Sequence, residues 1–576
     1  MNAAALLEKF VDILVRYANV PGREAAALAA GIDELKPYDT EVDLLADAPA
    51  DGAIGYATDT AAFWFRRAGA WTAAASPASS NVAAATIEPF SIFVDYANPL
   101  AVDPPYGAVL ASAADVTAAL GGAPAFKHLT AVYEALPATI AHYIVINLAT
   151  GIHRPHADAS SFFAFDFSKK QITPGGQISL NGTSPSDWPA IVAAQTVTAH
   201  QVGSNDPYID VAGTPFTGLD LKGRYAVLSS GQLAMIHDHT ASRLRLCQAI
   251  SPALTNGVST VTVAAPGTIL RNSRDDVSSH GFFTMAVDAS KATADGDAGK
   301  FKAAYITIDP WDSYNGLTVL RGAQVSLTSV AIDYVTSRDA FSFVTDGQAF
   351  VAEEGAFVVL NNCSLYDTPP TSTAWLDELV SASRASLFWI GCYLRGSENG
   401  LLLDGSQVAL YSTVIDGVGY AATAETIPGW IVATNGARLL PLWTGPAAKL
   451  NEIRNSPGGR PALYLERGMG PYSFGTEIDS AATALIFKSC GGPCVRLGPY
   501  GAFDVRGSVG FVNGGGNADV GFDVVGPHAL ALLDAATNVA GALGDTRIDG
   551  SVIAYGALGT KAAPTISARL NAIGKG

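Results

Sequence analysis

The sequence predicts a mainly β chain built around a right-handed parallel β-helix, and three observations carry that reading. A unit recurs: GAQVSLTSVAID from Gly322, GAFVVLNNCSLY from Gly355, RASLFWIGCYLR from Arg384, GSQVALYSTVID from Gly405 and a weaker GARLLP from Gly436. Apolar residues return to the same slots: Val325, Val358, Leu387 and Val408, then Leu327, Leu360, Trp389 and Leu410. Medium-sized residues follow at Val330, Cys363, Cys392 and Thr413, and then come Ile332, Leu365, Leu394 and Ile415. The copies begin 33, 29, 21 and 31 residues apart, so the unit is constant while its connections vary. Period-two alternation makes each unit a strand pair with one buried face. Fixed strands joined by variable loops at this spacing make a solenoid, with Cys363 stacked against Cys392 inside it. A leucine-rich repeat needs its Leu/Asn consensus and a helix per turn, and a propeller blade needs four strands, more than 21 residues supply.

Composition narrows the partners. Charged residues are 15% of the 576, and 58 glycines suit short strands and tight turns. So little surface charge is expected where partner subunits cover much of the surface. A net charge of −17, from 35 basic and 52 acidic residues with no basic run, argues against nucleic acid and anionic membranes. No apolar run approaches the ~20 residues of a membrane span. Glu8 and Asp12 interrupt the first apolar stretch, so no signal peptide and no ordinary export are expected. Five cysteines do not make a disulfide scaffold. Cys490 and Cys494 (CGGPC) have no second Cys or His pair at zinc spacing and read as small buried residues around a turn. No metal and no cofactor is expected.

Along the chain, residues 1–37 read as two helices over 3–18 and 23–34. The first carries Leu6, Phe10, Ile13 and Tyr17 on one seam with Leu7, Val11 and Leu14 beside it, and Pro21-Gly22 stops it. So wide a stripe seeks a parallel bundle, a docking surface or its own domain. Residues 38–73 read as a small β unit with turns at Gly52 and Gly69 and anchors at Trp64 and Trp71. Residues 74–125 read as a linker opened by AAASPASSNVAAA, 126–270 as a cap and a β-rich insertion, 271–480 as the β-helix and 481–576 as a further β-rich region.

Several of these residues carry a resemblance. Asp43-Leu44, Asp51-Gly52, the YATDT run at 56–60, Phe63-Trp64-Phe65 and Gly69-Ala70-Trp71 resemble, in that order, a module of bacteriophage tail fibres and baseplate-associated proteins. A short helix over 129–136, a buried strand over 143–148 and the turn Gly151-Ile152-His153 resemble the cap that closes the open end of pectate-lyase-like β-helices. An uncapped end would leave a sheet edge free to recruit other chains. The stretch LKGRYAVLSSGQLAMIHDHTASRLRL from Leu221 resembles a compact β insertion of phage fibre proteins.

Candidate chemistry is sparse. The slot after the last core position holds Asp333, Tyr366, Arg395 and Asp416 in successive copies. Coils ~4.8 Å apart put the two aspartates roughly 14 Å apart, beyond either glycosidase spacing. Arg395 and Tyr366 between them read as a sugar-tolerant or a merely solvated surface. Asp309, Asp312, Asp339, Asp346 and Asp404 fall in loops, and adjacent Glu353 and Glu354 face opposite ways on a strand. His237-Asp238-His239 and His153-x-x-His156 are the only histidine clusters; neither has a third ligand, and both read as hydrogen-bonding groups at strand ends. No P-loop, dinucleotide fingerprint, G-x-S-x-G or H-E-x-x-H occurs. Glycan-contact candidates are Tyr366, Tyr393, Arg395 and Tyr411; Phe388 and the tyrosines equally suit a groove between three subunits.

The resemblance implies a virion protein of a phage tail, a tail fibre or tailspike. It would be a homotrimer, held to other tail or baseplate proteins through residues 1–73 and used for host-surface attachment. The alternative is a depolymerase, lyase or hydrolase, that cuts host surface polysaccharide; a third reading is a secreted bacterial adhesin or glycan lyase.

Overall fold

The computed structural model describes residues 35–555 apart from 39–40, 48–53, 58–61, 68–69, 74–84, 156–161, 168–169, 174, 202–205, 251–253, 273–280, 290–299, 310–312, 334–347, 367–377, 397–398, 418–427, 443–450, 473–484, 505–510, 514–517, 519–521, 526–528, 533–545 and 549–551. The two helices expected over 3–34 lie outside these residues. Leu35–Tyr38, Ile54–Ala57, Ala62–Arg67 and Ala70–Ala73 form a four-stranded sheet in chain order, with the helix Glu41–Ala46 between the first two. The first pair is parallel and the other two are antiparallel.

The repeat is a parallel β-helix of three sheets, of 13, 10 and 11 strands. Each coil contributes one strand to each sheet in turn. Taking the coil that opens at Tyr143–Leu148 as the first, the fifth runs through Phe357–Asn361, Ser364–Tyr366 and Glu378–Ser383. The repeat copies supply the first two strands, and their slots stack in register: Val325, Val358, Leu387 and Val408 form one column. Ile332, Leu365, Leu394 and Ile415 form another. All eight are buried in one continuous core, as are Cys363 and Cys392.

The unit is therefore a triplet and not a pair. The third strand, such as Glu378–Ser383 or Asn399–Asp404, falls inside the stretches read from sequence as variable connections. From the fourth coil to the seventh, only the corner from the second sheet to the third varies widely in length. The other two are short there and built on one or two left-handed residues per coil. Gly322, Gly355, Arg384, Gly405 and Gly436, which open the repeat copies, have φ of 77°, 84°, 52°, 59° and 85°. Ser329, Asn362, Gly391 and Ser412, between first and second strand, have φ of 51°, 55°, 62° and 50°. The backbone ladder runs on through that corner: Ser329 N donates to Asn361 O at 2.9 Å, Asn362 N to Ile390 O at 2.7 Å and Gly391 N to Tyr411 O at 2.8 Å.

The ladders extend well past the 271–480 window. The first sheet starts at Phe90–Val94, inside the stretch read as a linker, and reaches Val552–Tyr555. Over the starting end lies the helix Leu129–Ala135, which buries Leu129, Val132 and Tyr133; the Tyr133 ring meets Phe165 edge-on at 5.1 Å. The β-rich insertion is a discrete body. Ala190–Gln201, Tyr208–Val211, Tyr225–Leu228, Leu233–His239, Arg243–Leu246 and Thr260–Ala264 close into an antiparallel six-stranded barrel with its own core. It is spliced into the second coil, between Gln177–Asn181 and Thr268–Arg271.

Corner geometry predicts two different glycine phenotypes. A Cβ on Gly182 would overlap the Tyr305 backbone carbonyl of the next coil, whereas one on Gly322 (φ +77°) meets nothing within 4 Å. Gly322→Ala should cost only its left-handed strain, about 1–2 kcal/mol, and Gly182→Ala should lower the calorimetric unfolding midpoint further. Equal shifts would refute the stacked-corner account.

Candidate functional site

The slot read from sequence as an outward ladder is real, and it is covered. In the second sheet Asp333 pairs with Tyr366, Tyr366 with Arg395, Arg395 with Asp416 and Asp416 with Arg454. The barrel sits on this column. Arg224 Nη1 donates to Asp333 Oδ2 at 3.0 Å, Arg395 Nη1 to Asp220 Oδ2 at 2.5 Å, and Arg454 Nη2 to the His237 carbonyl at 2.6 Å. Beside the ion pairs an apolar seam joins Trp188, Tyr225, Met235, Cys247 and Ala264 of the insertion to Tyr393 and Val414 of the coils. Gln248 packs so closely that a Cβ on Gly391 would overlap its amide.

Burial under the barrel decides the fate of two glycan candidates. Tyr393 is fully buried and Arg395 is 8% exposed, so neither offers a face to a sugar. Tyr393 donates its hydroxyl to Asp416 Oδ2 at 2.9 Å, and burial followed by the Asp416 charge pushes its pKa well up. Tyr366 occupies the rung between Asp333 and Arg395, but its side chain is outside the described residues. Tyr411 is on another surface, the last position of the strand Gln407–Tyr411 in the first sheet, half-buried, with burial raising its pKa. Tyr393 and Arg395 share the covered strand Tyr393–Arg395 while Tyr411 lies on another sheet, so these three form no common face.

At the centre of the seam is a buried charge cluster that sequence reading split among separate motifs. Asp416 is fully buried; it accepts from Tyr393, from Arg454 Nε at 2.8 Å and from Asn455 Nδ2 at 2.8 Å. Arg454 Nη1 also reaches Glu452 Oε1 at 3.2 Å. Burial opposes the Arg454 charge, but Asp416, Tyr393 and Glu452 together raise its pKa. Asp416 and Glu452 are both carboxylates, yet the one Arg454 guanidinium bridges them and the barrel covers the cluster. A glycosidase pair needs room for substrate.

Other candidates are similarly engaged. Asp309 is held by Arg271 at 2.6 and 2.9 Å, and Asp404 accepts from Asn435 at 2.6 Å. Glu353 ends the strand Gln348–Glu353 and Glu354 turns the corner at φ +55°. Asp312, Asp339, Asp346 and His156 lie outside the described residues. His237 faces Asp206 at 3.4 Å, Asp238 faces Lys222 at 3.7 Å, and His239 Nε2 accepts from the Leu221 amide at 3.3 Å. Among the described residues no three His, Cys, Asp or Glu side chains group as metal ligands.

The first sheet presents a different surface. Its outward positions hold Phe357 (40% exposed), Phe388 and Ile390 (38% exposed), with Tyr411 on the rung after Ile390. The Phe357 and Phe388 rings lie 5.3 Å apart. These positions step diagonally across neighbouring coils, Phe357 opposite Ser386, Phe388 opposite Val359 and Ile390 opposite Asn361, as an apolar stripe on the outer face.

No family model matches the chain, and no curated protein matches it. Among solved structures it is similar to the ORF18 protein of Geobacillus virus E2 (8% identity, 91% of this chain and 74% of that one, TM-score 0.34). It is also similar to the tailspike gp61 of Pseudomonas phage phi297 (12% identity, 80% and 74%, TM-score 0.25). A third is the tailspike gp49 of Pseudomonas phage LKA1 (11% identity, 79% and 77%, TM-score 0.21). These neighbours are phage proteins, two of them tailspikes. At such identities and TM-scores they assign no activity, and the fold rests on the ladders themselves. No helix among the described residues is long and apolar enough to cross a membrane.

Two measurements test the seam and the coil it joins. Arg454→Met leaves Asp416 and Glu452 buried without their cation and should cost about 3–5 kcal/mol in urea unfolding; an unchanged midpoint would refute the cluster's role. His153, 2% exposed, donates Nε2–H to the Ala149 carbonyl at 2.9 Å, and burial lowers its pKa. The unfolded chain therefore takes up that proton first. Stability should be full above about pH 6.5 and fall as pH drops below it, and His153→Gln should flatten that slope.

Proposed function

We propose that this chain is a virion protein of a phage tail, a tail fibre or tailspike. Residues 1–73 hold it to other tail or baseplate proteins, and its β-helix meets the host surface as one of three copies. The observation that carries this reading is the combination of a parallel β-helix with the sequence of residues 43–71, which resembles a phage tail module. A stiff rod with an attachment module at one end suits the projection of a binding surface away from a particle. The barrel occupies the second sheet. The apolar stripe at Phe357, Phe388 and Ile390 supports contact between copies on the first sheet, and Tyr411 at its margin remains the glycan-contact candidate.

Light scattering after size exclusion tests it, on the full chain and on a form lacking residues 1–73. A mass of three chains is expected for the full chain, and Phe388→Asp with Ile390→Asp should reduce it while leaving the far-ultraviolet dichroism intact. A single-chain mass for both forms would overturn the trimer. A panel of bacterial surface polysaccharides comes next: retention on one without shortening supports attachment, and release of oligosaccharides would replace it with cleavage.

A further inference from the structure

We propose that Cys490 and Cys494 are a dithiol pair that oxidises to an intrachain disulfide across the corner CGGPC, leaving the other three cysteines as thiols. The two residues flank Gly491-Gly492-Pro493, the corner between the second-sheet strand Leu485–Lys488 and the third-sheet strand Val495–Leu497 of the ninth coil. Both are buried in the coil's core, and their sulfurs are in hydrogen-bonding contact.

Backbone anchoring holds them there. Gly491 N donates to Ser456 O at 3.0 Å, Ala462 N to Pro493 O at 2.8 Å and Leu463 N to Cys494 O at 3.1 Å, so the corner is fastened to the coil below at both ends. The two glycines lie flat on that coil: a Cβ on Gly492 would overlap the Arg460 carbonyl, and one on Gly491 would come within 2.6 Å of Gly458 N. Both ends of the short segment between the two cysteines are thus fixed to one coil.

The five cysteines are not equivalent. Cys363 and Cys392 also stack, one coil apart, but burial pushes the Cys363 thiol well up and keeps it protonated. At Cys490 the Cys494 thiol outweighs burial, and Ser456 and the Lys488 backbone add to it, so its pKa is lowered. The thiolate is the nucleophile, and Cys490 and Cys494 flank one corner whereas Cys363 and Cys392 lie on successive coils, so local opening of a single corner frees only the first pair together. Cys247 is held apart, its thiol against the Cys392 carbonyl at 3.6 Å.

Chemically the step is thiol–disulfide exchange with a low-molecular-weight disulfide, reached when the corner opens locally. The Cys490 thiolate attacks one sulfur of the reagent and expels a small thiolate. Cys494, as thiolate, then attacks the Cys490 sulfur of the mixed disulfide and expels the second. One S–S bond forms in the protein and one breaks in the reagent. The protein loses two electrons, and its two protons leave on the two small thiols.

The test uses the full chain, purified reduced, desalted and incubated with oxidised glutathione before alkylation, intact-mass measurement and peptide mapping. The expected result is a mass lower by about 2 Da, a 490–494 cross-link, and alkylation confined to Cys247, Cys363 and Cys392. Cys494→Ser should instead trap glutathione on Cys490. Five alkylated cysteines after incubation, a 363–392 bridge in preference, or a stable glutathione adduct on the unsubstituted protein would each overturn the proposal. The measurement on the unsubstituted chain stands even where the Ser variant fails to fold.

Discussion

Parallel strands can stack into a coil only if every turn of chain closes on the same axis and in the same register. In the regular coils that demand falls on two short corners, each made by one or two left-handed residues whose amides continue the ladder. A non-glycine residue in that conformation costs about 1–2 kcal/mol, and Arg384, Asn362 and Ser412 accept it. The ladder gains that follow are a hydrogen bond per residue and a buried column such as Val325–Val358–Leu387–Val408. Because both corners stay short from the fourth coil to the seventh, the variation in length over those coils falls on the third. The core of those coils is not interrupted, and their long connections grow on one edge, while the barrel leaves from another.

The barrel depends on this regularity. A body inserted in the second coil finds a flat, in-register column of Asp333, Arg395, Asp416 and Arg454 only because each coil places the same strand position at the same height. Desolvating those charges would be prohibitive singly; the barrel and its neighbours supply a partner for each. Tyr393 and Val414 then contribute to an apolar seam in which Trp188 meets Tyr225 at 5.2 Å and Tyr305 at 5.9 Å. Sequence-local logic assigns Arg395 to solvent. Tertiary contact with a segment some 175 residues earlier assigns it to an interface.

Much of the coil is legible in the sequence because its physics is local and periodic. The copies at 322, 355, 384 and 405 state the alternation, and each opens on the corner residue itself. The third strand escapes notice because its spacing to the first two is set by loops of unequal length, which destroys the period. A signal was present all the same: VAEEG, SASRA and LLDGS each run a strand directly into the corner that opens the next copy. The seam was illegible for a different reason. An outward position on a strand carries no mark of whether water or a distant insertion covers it, and the charge alternation Asp333, Arg395, Asp416, Arg454 fits both. His237, Asp206 and Arg454 come together only through the closed barrel, whose strands have irregular spacing and no repeat.

The placement of that barrel has a mechanical consequence. Its two connections leave the second coil, yet its contacts run from Tyr305 past Asp333 and Arg395 to Arg454, which belong to the third, fourth, sixth and eighth coils. A bare coil under tension peels one turn at a time, each step breaking only the bonds to its neighbour. A strut that grips turns far apart along the axis couples their failure, so a pull on one end must shear several rungs together. The rod is stiffest where the barrel lies beside it, and load passes around those coils as well as through them.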